Sequence, residues 1–347
     1  MKIAKIKNVL SDTKIPKYVF GQIASAIYKQ GITDFNDITT ITKDLRLKII
    51  DRLGTSYTNS LKKVAEQRSQ QTYKILFQLG SCERIEAVRM IFKPNGKSFE
   101  SACISSQSGC GLGCSFCATG MIGFKQNLTG EEISDQILYF TSQGHRIHSI
   151  SFMGMGEPLA NADNVIEAIN ILTNKQYFGI SPRHISVSTV GIIPGLKKLI
   201  KAHPQVNIAL SLHSPYSRQR EEIMKVEKTY SFLDVLSVLD SHISKNNRRV
   251  FLGYLLLGGV NDSVKHANGL AQLIKNRGKN WYLYHVNLIK YHPCPSPVKY
   301  NKPREKDILA FVEVLESNNI SYSVRQSFGE DIFAACGQLY GNYAPRN

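Results

Sequence analysis

Long apolar runs are missing from this chain of 347 residues. No stretch approaches the ~20 consecutive apolar residues of a membrane-spanning helix, so none is expected. The basic start, Met1-Lys-Ile-Ala-Lys-Ile-Lys7, is not followed by an uninterrupted apolar segment, which argues against a secretory signal. Strongly amphipathic basic helices and lipidation motifs are also wanting, so no membrane partner is expected. No low-complexity linker and no repeat of about 20–50 residues stronger than the chain's alternation of strands and helices is present. Acidic residues are scarce. Against 43 Lys and Arg stand 27 Asp and Glu, a formal charge of +16 with a pI near 9.5. That excess points to a polyanionic partner, the alternative being a generally basic solubility surface. Hydrophobic residues still make up 42%, enough for a globular chain with a real core. The length suits one large domain and a smaller one.

A disulfide framework is the next thing lacking. Three of the seven cysteines crowd into Cys110-Gly-Leu-Gly-Cys114-Ser-Phe-Cys117, too close together to be good disulfide partners, and this argues for a reducing, cytoplasmic compartment. Three thiolates in C-x3-C-x2-C spacing are good ligands for a soft metal centre. A structural zinc ion wants a fourth ligand, such as Cys103 or a histidine. A [4Fe–4S] cube held by three cysteines leaves one iron open to bind something else. Gly111 and Gly113 let the backbone fold tightly around such a group. Three ordinary buried thiols is the remaining alternative.

Residues 1–80 read as a separate basic helical domain. Phe20, Ile23, Ala24 and Ile27 repeat at helical spacing, Pro16 stands near a helix start, and this segment carries +8, half of the total charge. It fits either an RNA-gripping appendage or a packing domain with a solvated face. Residues 81–347 read as a second domain. Val88–Phe92 reads as a strand, Pro94-Asn-Gly96 as a hairpin turn, and Ala102–Ser105 as a strand that delivers the chain to the cysteine loop. Helical stretches follow near 130–143, 162–173, 194–203, 231–244, 263–276 and 303–317. Between them lie the apolar runs Ser149–Met153, Ile185–Val190, Val206–Leu212, Val250–Leu257, Leu283–Ile289 and Tyr322–Val324. Such alternation predicts an α/β fold with a parallel sheet, either a partial or full (β/α) barrel or a doubly wound sheet. In both, ligands sit at the carboxyl ends of the strands. Met153-Gly-Met-Gly156-Glu157-Pro158, Ser188-Thr189 and Ser211-Leu212-His213 fall at those ends. There Gly156 permits close approach to a ligand, and Glu157 offers a carboxylate. Near the C-terminus Cys336 lies among small residues and glycines, which reads as an approachable thiol or as a buried structural one. Cys294 has no partner that the sequence names.

Taken together and in order, Cys103-Ile-Ser-Ser-Gln107, Cys110–Cys117, Phe152-Met-Gly-Met-Gly-Glu-Pro-Leu-Ala-Asn161 and Ala334-Ala-Cys-Gly-Gln-Leu339 resemble the RlmN/Cfr family of radical S-adenosylmethionine RNA methyltransferases. The likeness spans about residues 80–343. Gly144–Phe152, Ser211–Ser217, Leu283–Tyr291 and the ending Gln338–Tyr343 bring it nearer the Cfr branch, whereas Pro158 departs toward RlmN. The resemblance implies a partial (β/α)6-type radical SAM barrel behind a small N-terminal helical domain. It implies methylation of one adenine of 23S ribosomal RNA in the peptidyl-transferase centre. The Cfr branch acts at C8 and gives resistance to ribosome-targeting antibiotics; the RlmN branch acts at C2 and also on some transfer RNA. A zinc-stabilised RNA-binding protein without catalysis is the contrasting expectation. Implied cofactors are a [4Fe–4S] cluster on Cys110, Cys114 and Cys117, two S-adenosylmethionine molecules per turnover and a reducing electron donor. Gly156, Glu157, Ser188, Ser211, Leu212, His213 and His292 match cofactor contacts, although the family usually has asparagine where His292 stands. Cys336 matches the methyl carrier, Cys103 the thiol that releases product by forming a disulfide with it, and Glu86 the proton acceptor. The expected substrate is naked or partly assembled RNA, whose adenine must leave its stack.

Overall fold

One sheet organises the chain in the computed structural model, which describes residues 2–57, 59–93, 96–296 and 298–339. Three antiparallel strands come first: β1 (Leu61–Arg68), β2 (Thr72–Leu79) and β3 (Arg84–Phe92). They pair onto β4 (Phe99–Cys103). A hairpin of β5 (Gln107–Gly109) and β6 (Phe124–Asn127) stands apart. From β4 onward the large sheet is parallel, through β7 (Ile147–Phe152), β8 (Ile185–Thr189), β9 (Asn207–Ser211), β10 (Val250–Leu256), β11 (Tyr284–Lys290) and β12 (Tyr322–Val324). Order in space follows order in sequence without a reversal. A doubly wound sheet reverses at a switch point, whereas uninterrupted progression is how a (β/α) barrel winds. Among the described residues β1 and β12 are the edges, so the barrel is partial.

Ahead of the sheet lie α1 (Lys2–Val9), α2 (Lys17–Tyr28) and α3 (Lys43–Leu53). Ile23, Ala24 and Ile27 are buried as their spacing predicts, beside Ile3, Ile6, Phe35 and Ile49. Thr42 caps α3 by accepting the Leu45 N–H. Helix was expected across residues 1–80, but it ends at Leu53, and residues 61–79 are β1 and β2 of the main sheet. The reason is legible afterwards. Strand β2 is buried on both faces, so its pattern is a continuous run instead of an alternation. Exposed Lys62 and Lys63 give β1 the look of a solvated helix face.

Six crossovers link the parallel strands. They use α5 (Gly130–Ser142), α6 (Ala162–Thr173), α7 (Ile193–Ala202), α9 (Phe232–Asn246), α10 (Val264–Lys275) and α11 (Glu305–Ser317), with short helices α4 (Ala118–Ile122) and α8 (Ser217–Ile223) in loops. Helix α5 starts at a capping box in which Thr129 and Glu132 exchange bonds. Ile133, Ile137 and Phe140 then face the sheet, as Ile308, Phe311 and Leu315 do from α11. The N-terminal helices dock on this outer layer: their core includes Leu138 of α5 and Ile171 of α6. Buried Lys2 lies 2.6 Å from Asp135 and 3.2 Å from Glu131 on α5. Of the hairpin turn expected at 94–96, Pro94 and Asn95 lie outside the described residues, as does the chain from 340 to its end.

Candidate active site

The cysteine loop leaves β5 through a constrained corner. Gly109 has φ +69, and a Cβ there would stand 1.8 Å from Gly123 O, the carbonyl that accepts the Cys110 N–H at 3.0 Å. Only glycine fits. Gly113 also needs its freedom, at φ +59, whereas Gly111 is not left-handed. Ser115 fastens the middle of the loop: its N–H and hydroxyl both donate to Ile223 O at 3.0 Å. Cys110, Cys114 and Cys117 line one open cavity. Burial pushes the Cys110 thiol up to about 12. Burial, then the charges of Cys117 and Cys110, push Cys114 well above its usual value.

The same cavity is lined by the strand-end residues Gly156, Glu157, Ser188, Ser211 and His213. Gly156 has φ +93, and a Cβ would meet Gln107 Cβ at 2.4 Å. Glu157 is 4% exposed and already braces neighbouring strands. Its carboxylate accepts from Thr189 Oγ1 at 2.6 Å, Val190 N–H at 3.0 Å and Leu159 N–H at 3.0 Å. Burial raises its pKa and those bonds oppose the rise. His213 Nδ1 accepts the Leu255 N–H at 2.9 Å, which leaves Nε2–H as the ring's donor. Burial, aided by the Arg220 charge, lowers His213 to about 3, so the ring is neutral at physiological pH. Leu212 does not line the cavity. It belongs to the apolar core, and its carbonyl accepts from Arg220 Nε at 3.1 Å.

A second open cavity adjoins the first and is lined by Cys103, His292 and Cys336. Cys336 is exposed and lines both spaces, together with Met153, Ile289, Arg325 and Leu339. Burial, then the neighbouring Cys336 thiol, pushes Cys103 up to about 12. The loop bearing Cys336 is stitched to the cysteine loop. Ala118 N–H donates to Gly337 O at 2.8 Å, and Thr119 Oγ1 to Leu339 O at 2.7 Å. His292 stands apart from the other expected cofactor contacts. Its Nε2 is 2.6 Å from Ser327 Oγ, and its Nδ1 lies 3.1 Å from Glu330 Oε2 without hydrogen-bond alignment. Glu86 lines neither cavity. It is 2% exposed, with its Oε1 3.4 Å from Lys74 Nζ. Cys294 does find a partner, donating to Phe116 O at 3.3 Å.

Sequence reasoning overlooked three cations at this end of the barrel. Arg325 borders both cavities, and its Nη1 is 3.0 Å from Met153 Sδ. Arg220 is wholly buried and donates to Val190 O, Ser211 O, Leu212 O and Glu227. Neither has a local sequence signal. Lys74 does: it is a lone charge inside the run Tyr73-Lys-Ile-Leu-Phe77.

A cube held by three thiolates leaves one iron free for another ligand. Three soft donors, neutral His213 and the hydroxyls of Ser188 and Ser211 line one cavity, a set that fits a three-cysteine cluster beside an organic cofactor.

Comparison with known proteins agrees. The profile of the Radical SAM superfamily matches residues 104–268. The chain is 47% identical to the protein of Bacillus velezensis named Ribosomal RNA large subunit methyltransferase Cfr, over 99% of this chain and 97% of that one. It is 48% identical to the protein of that name from Staphylococcus aureus, with the same coverage. Among solved structures, a radical SAM methyltransferase from Sphaerobacter thermophilus is 34% identical and superimposes with a TM-score of 0.87, covering 99% of this chain and 98% of its own.

Proposed function

The chain belongs to the Cfr family of radical SAM ribosomal RNA large subunit methyltransferases, and from that premise we propose that it methylates C8 of an adenine in the peptidyl-transferase centre of 23S ribosomal RNA by way of a methyl group carried on Cys336. The family's reaction uses a [4Fe–4S] cluster and S-adenosylmethionine. The observation that carries the assignment is the position of Cys336 on the wall common to two cavities, one with the three-cysteine loop and one with Cys103.

Cys110, Cys114 and Cys117 would hold the cluster, while Gly156, Ser188, Ser211 and His213 line the place for S-adenosylmethionine. Bound there, these groups supply the methyl and the one-electron chemistry needed to attack an aromatic C–H that is too weakly nucleophilic for direct transfer. Cys336 Sγ takes the methyl and presents it between the cavities. Once its carbon is joined to the ring, Glu86 accepts the ring proton. The Cys103 sulfur then attacks Cys336 Sγ: a disulfide forms, the C–S bond breaks, its electron pair leaves with the carbon, and that carbon takes up the proton that the Cys103 thiol gives up. Both cysteines are free thiols and line one cavity, the state from which this sequence starts. Glu157 serves as a brace for strand ends, and Leu212 acts through its backbone.

The excess of eight positive charges in residues 1–80 supports RNA binding by the N-terminal helices and β1. No helix of the described residues is long and apolar enough to cross a membrane. A reducing electron donor and an RNA substrate, naked or partly assembled, place the reaction in the cytoplasm. A methyl at C8 alters a drug-contacting surface, so antibiotic resistance is the expected phenotype. Pro158, in the cofactor cavity wall, favours the second reading, C2 methylation with activity on transfer RNA. Mapping the modified adenine by mass spectrometry after reaction in vitro decides between them: 8-methyladenine supports the assignment, and product methylated only at C2 overturns it.

A further inference from the structure

Lys74 is a buried cation that the reaction scheme above leaves unused. It lies in β2 and is 4% exposed. An ammonium is hidden this deeply only when partners compensate. Its Nζ is 3.4 Å from Glu86 Oε1 and donates to Phe333 O at 3.1 Å. The register explains the meeting. Leu76 pairs with Glu86 and Lys74 with Val88, and Val88 pairs in turn with Cys103. Directly paired residues share a face, so Lys74, Glu86 and Cys103 project to one side of the sheet. Phe333 lies three residues before Cys336. A second contact presses the same loop on β2: Gly329 has φ +67, and a Cβ there would stand 2.7 Å from Thr72 Cγ2. Gly329 O then accepts the Ala334 N–H at 2.8 Å.

We propose that Lys74 is a positioning residue whose ammonium keeps Glu86 ionised as a base and whose bond to Phe333 holds the Cys336 loop beside that base. The proposal rests on Glu86 being the proton acceptor. Taking the Lys74 charge away from beside so buried a carboxyl favours its protonated form, which can no longer accept a proton. When the ring proton passes to a Glu86 oxygen, the C–H electron pair stays in the ring, and the odd electron left by the radical addition returns to the one-electron centre that the family's reaction supplies, so the ring regains its aromaticity. Burial draws Lys74 toward its neutral form and the Glu86 charge opposes this, so each ion sustains the other. Among the described residues, Cys103 on β4 and Cys336 on the loop are further titratable groups on this side, with Arg325 at the end of β12.

The test uses reconstituted full-length enzyme and a 23S rRNA transcript carrying the target adenine, in single turnovers across a pH series. K74M removes charge and donor, K74Q removes charge but keeps an amide donor, and K74R keeps the charge. Methylation of Cys336, read by peptide mass, shows that each variant is folded and loaded. In K74M and K74Q the acid limb of the rate profile moves up by about 1–3 pH units, the effect of losing an adjacent opposite charge. Covalent RNA–protein adduct accumulates at neutral pH in both, and K74R returns the limb toward wild type. Acid limbs of K74M and K74Q that superimpose on wild type, while E86Q traps adduct, overturn the role of Lys74 and leave Glu86 in place. Free turnover by E86Q overturns the base assignment itself, and the proposal with it.

Discussion

Replacing Arg220 by methionine should loosen the cofactor cavity from behind. The guanidinium is wholly buried and donates to Val190 O at 2.8 Å and to Ser211 O and Leu212 O at 3.1 Å, so it spans the ends of β8 and β9. Val190 and Ser211 line the cavity. Its fourth partner, Glu227, also accepts from Ser217 Oγ at 2.7 Å and Phe232 N–H at 3.1 Å. Methionine preserves length and apolar bulk but strands a buried carboxylate. Breaking one side of a buried pair costs about 3–5 kcal/mol, and the two remaining donors keep Glu227 toward the lower figure. Urea denaturation should show this as a lower midpoint at unchanged slope. The double variant R220M/E227M removes the stranded charge and should recover most of the stability. It leaves three strand-end carbonyls without their clamp, so S-adenosylmethionine affinity stays at least about tenfold weaker, roughly 1.4 kcal/mol. A single variant within about 1 kcal/mol of wild type, or a double variant that binds the cofactor normally, would refute this reasoning.

Three further outcomes follow from the site. Cys336→Ala should abolish methylation while iron content and RNA binding persist; ordinary turnover would remove Cys336 as methyl carrier. Cys103→Ala should complete the carbon–carbon bond and stop, giving covalent RNA–protein adduct on a denaturing gel, and free product at the usual rate would contradict its role. Gly156→Ala should weaken S-adenosylmethionine binding about tenfold or more, because φ +93 and a Cβ 2.4 Å from Gln107 add strain on the order of 1–3 kcal/mol; unchanged affinity by equilibrium dialysis would show that the turn adapts.

Much of this architecture can be read from residue order, because a barrel is built of local units. Each crossover helix carries its own apolar stripe, and each parallel strand its own run, so the six units appear nearly at their observed bounds. Register and pairing are not local. That is why β1 and β2 pass for helix and why the hairpin enclosing the cysteine loop goes unseen. Gly113 was recognisable as a loop glycine, but the stricter need at Gly109 depends on Gly123, brought close by β6. The same limit holds in the site. Cys110, Cys114 and Cys117 are adjacent in sequence, so their grouping is legible, and so are strand-end groups such as Gly156 and His213. Arg220 and Arg325 act on carbonyls and cavities assembled from distant segments, so no spacing announces them. His292 is the contrasting case: its neighbourhood resembles a cofactor contact, and folding sets it in the second cavity against Ser327.

Iron and sulfide analysis of oxygen-free protein, joined to its low-temperature spectrum, tests the account where it is most exposed. The account predicts a brown protein with four irons per chain, a signal that changes on adding S-adenosylmethionine, and loss of both when the cysteines at 110, 114 and 117 are replaced. A colourless protein holding one zinc per chain would contradict it.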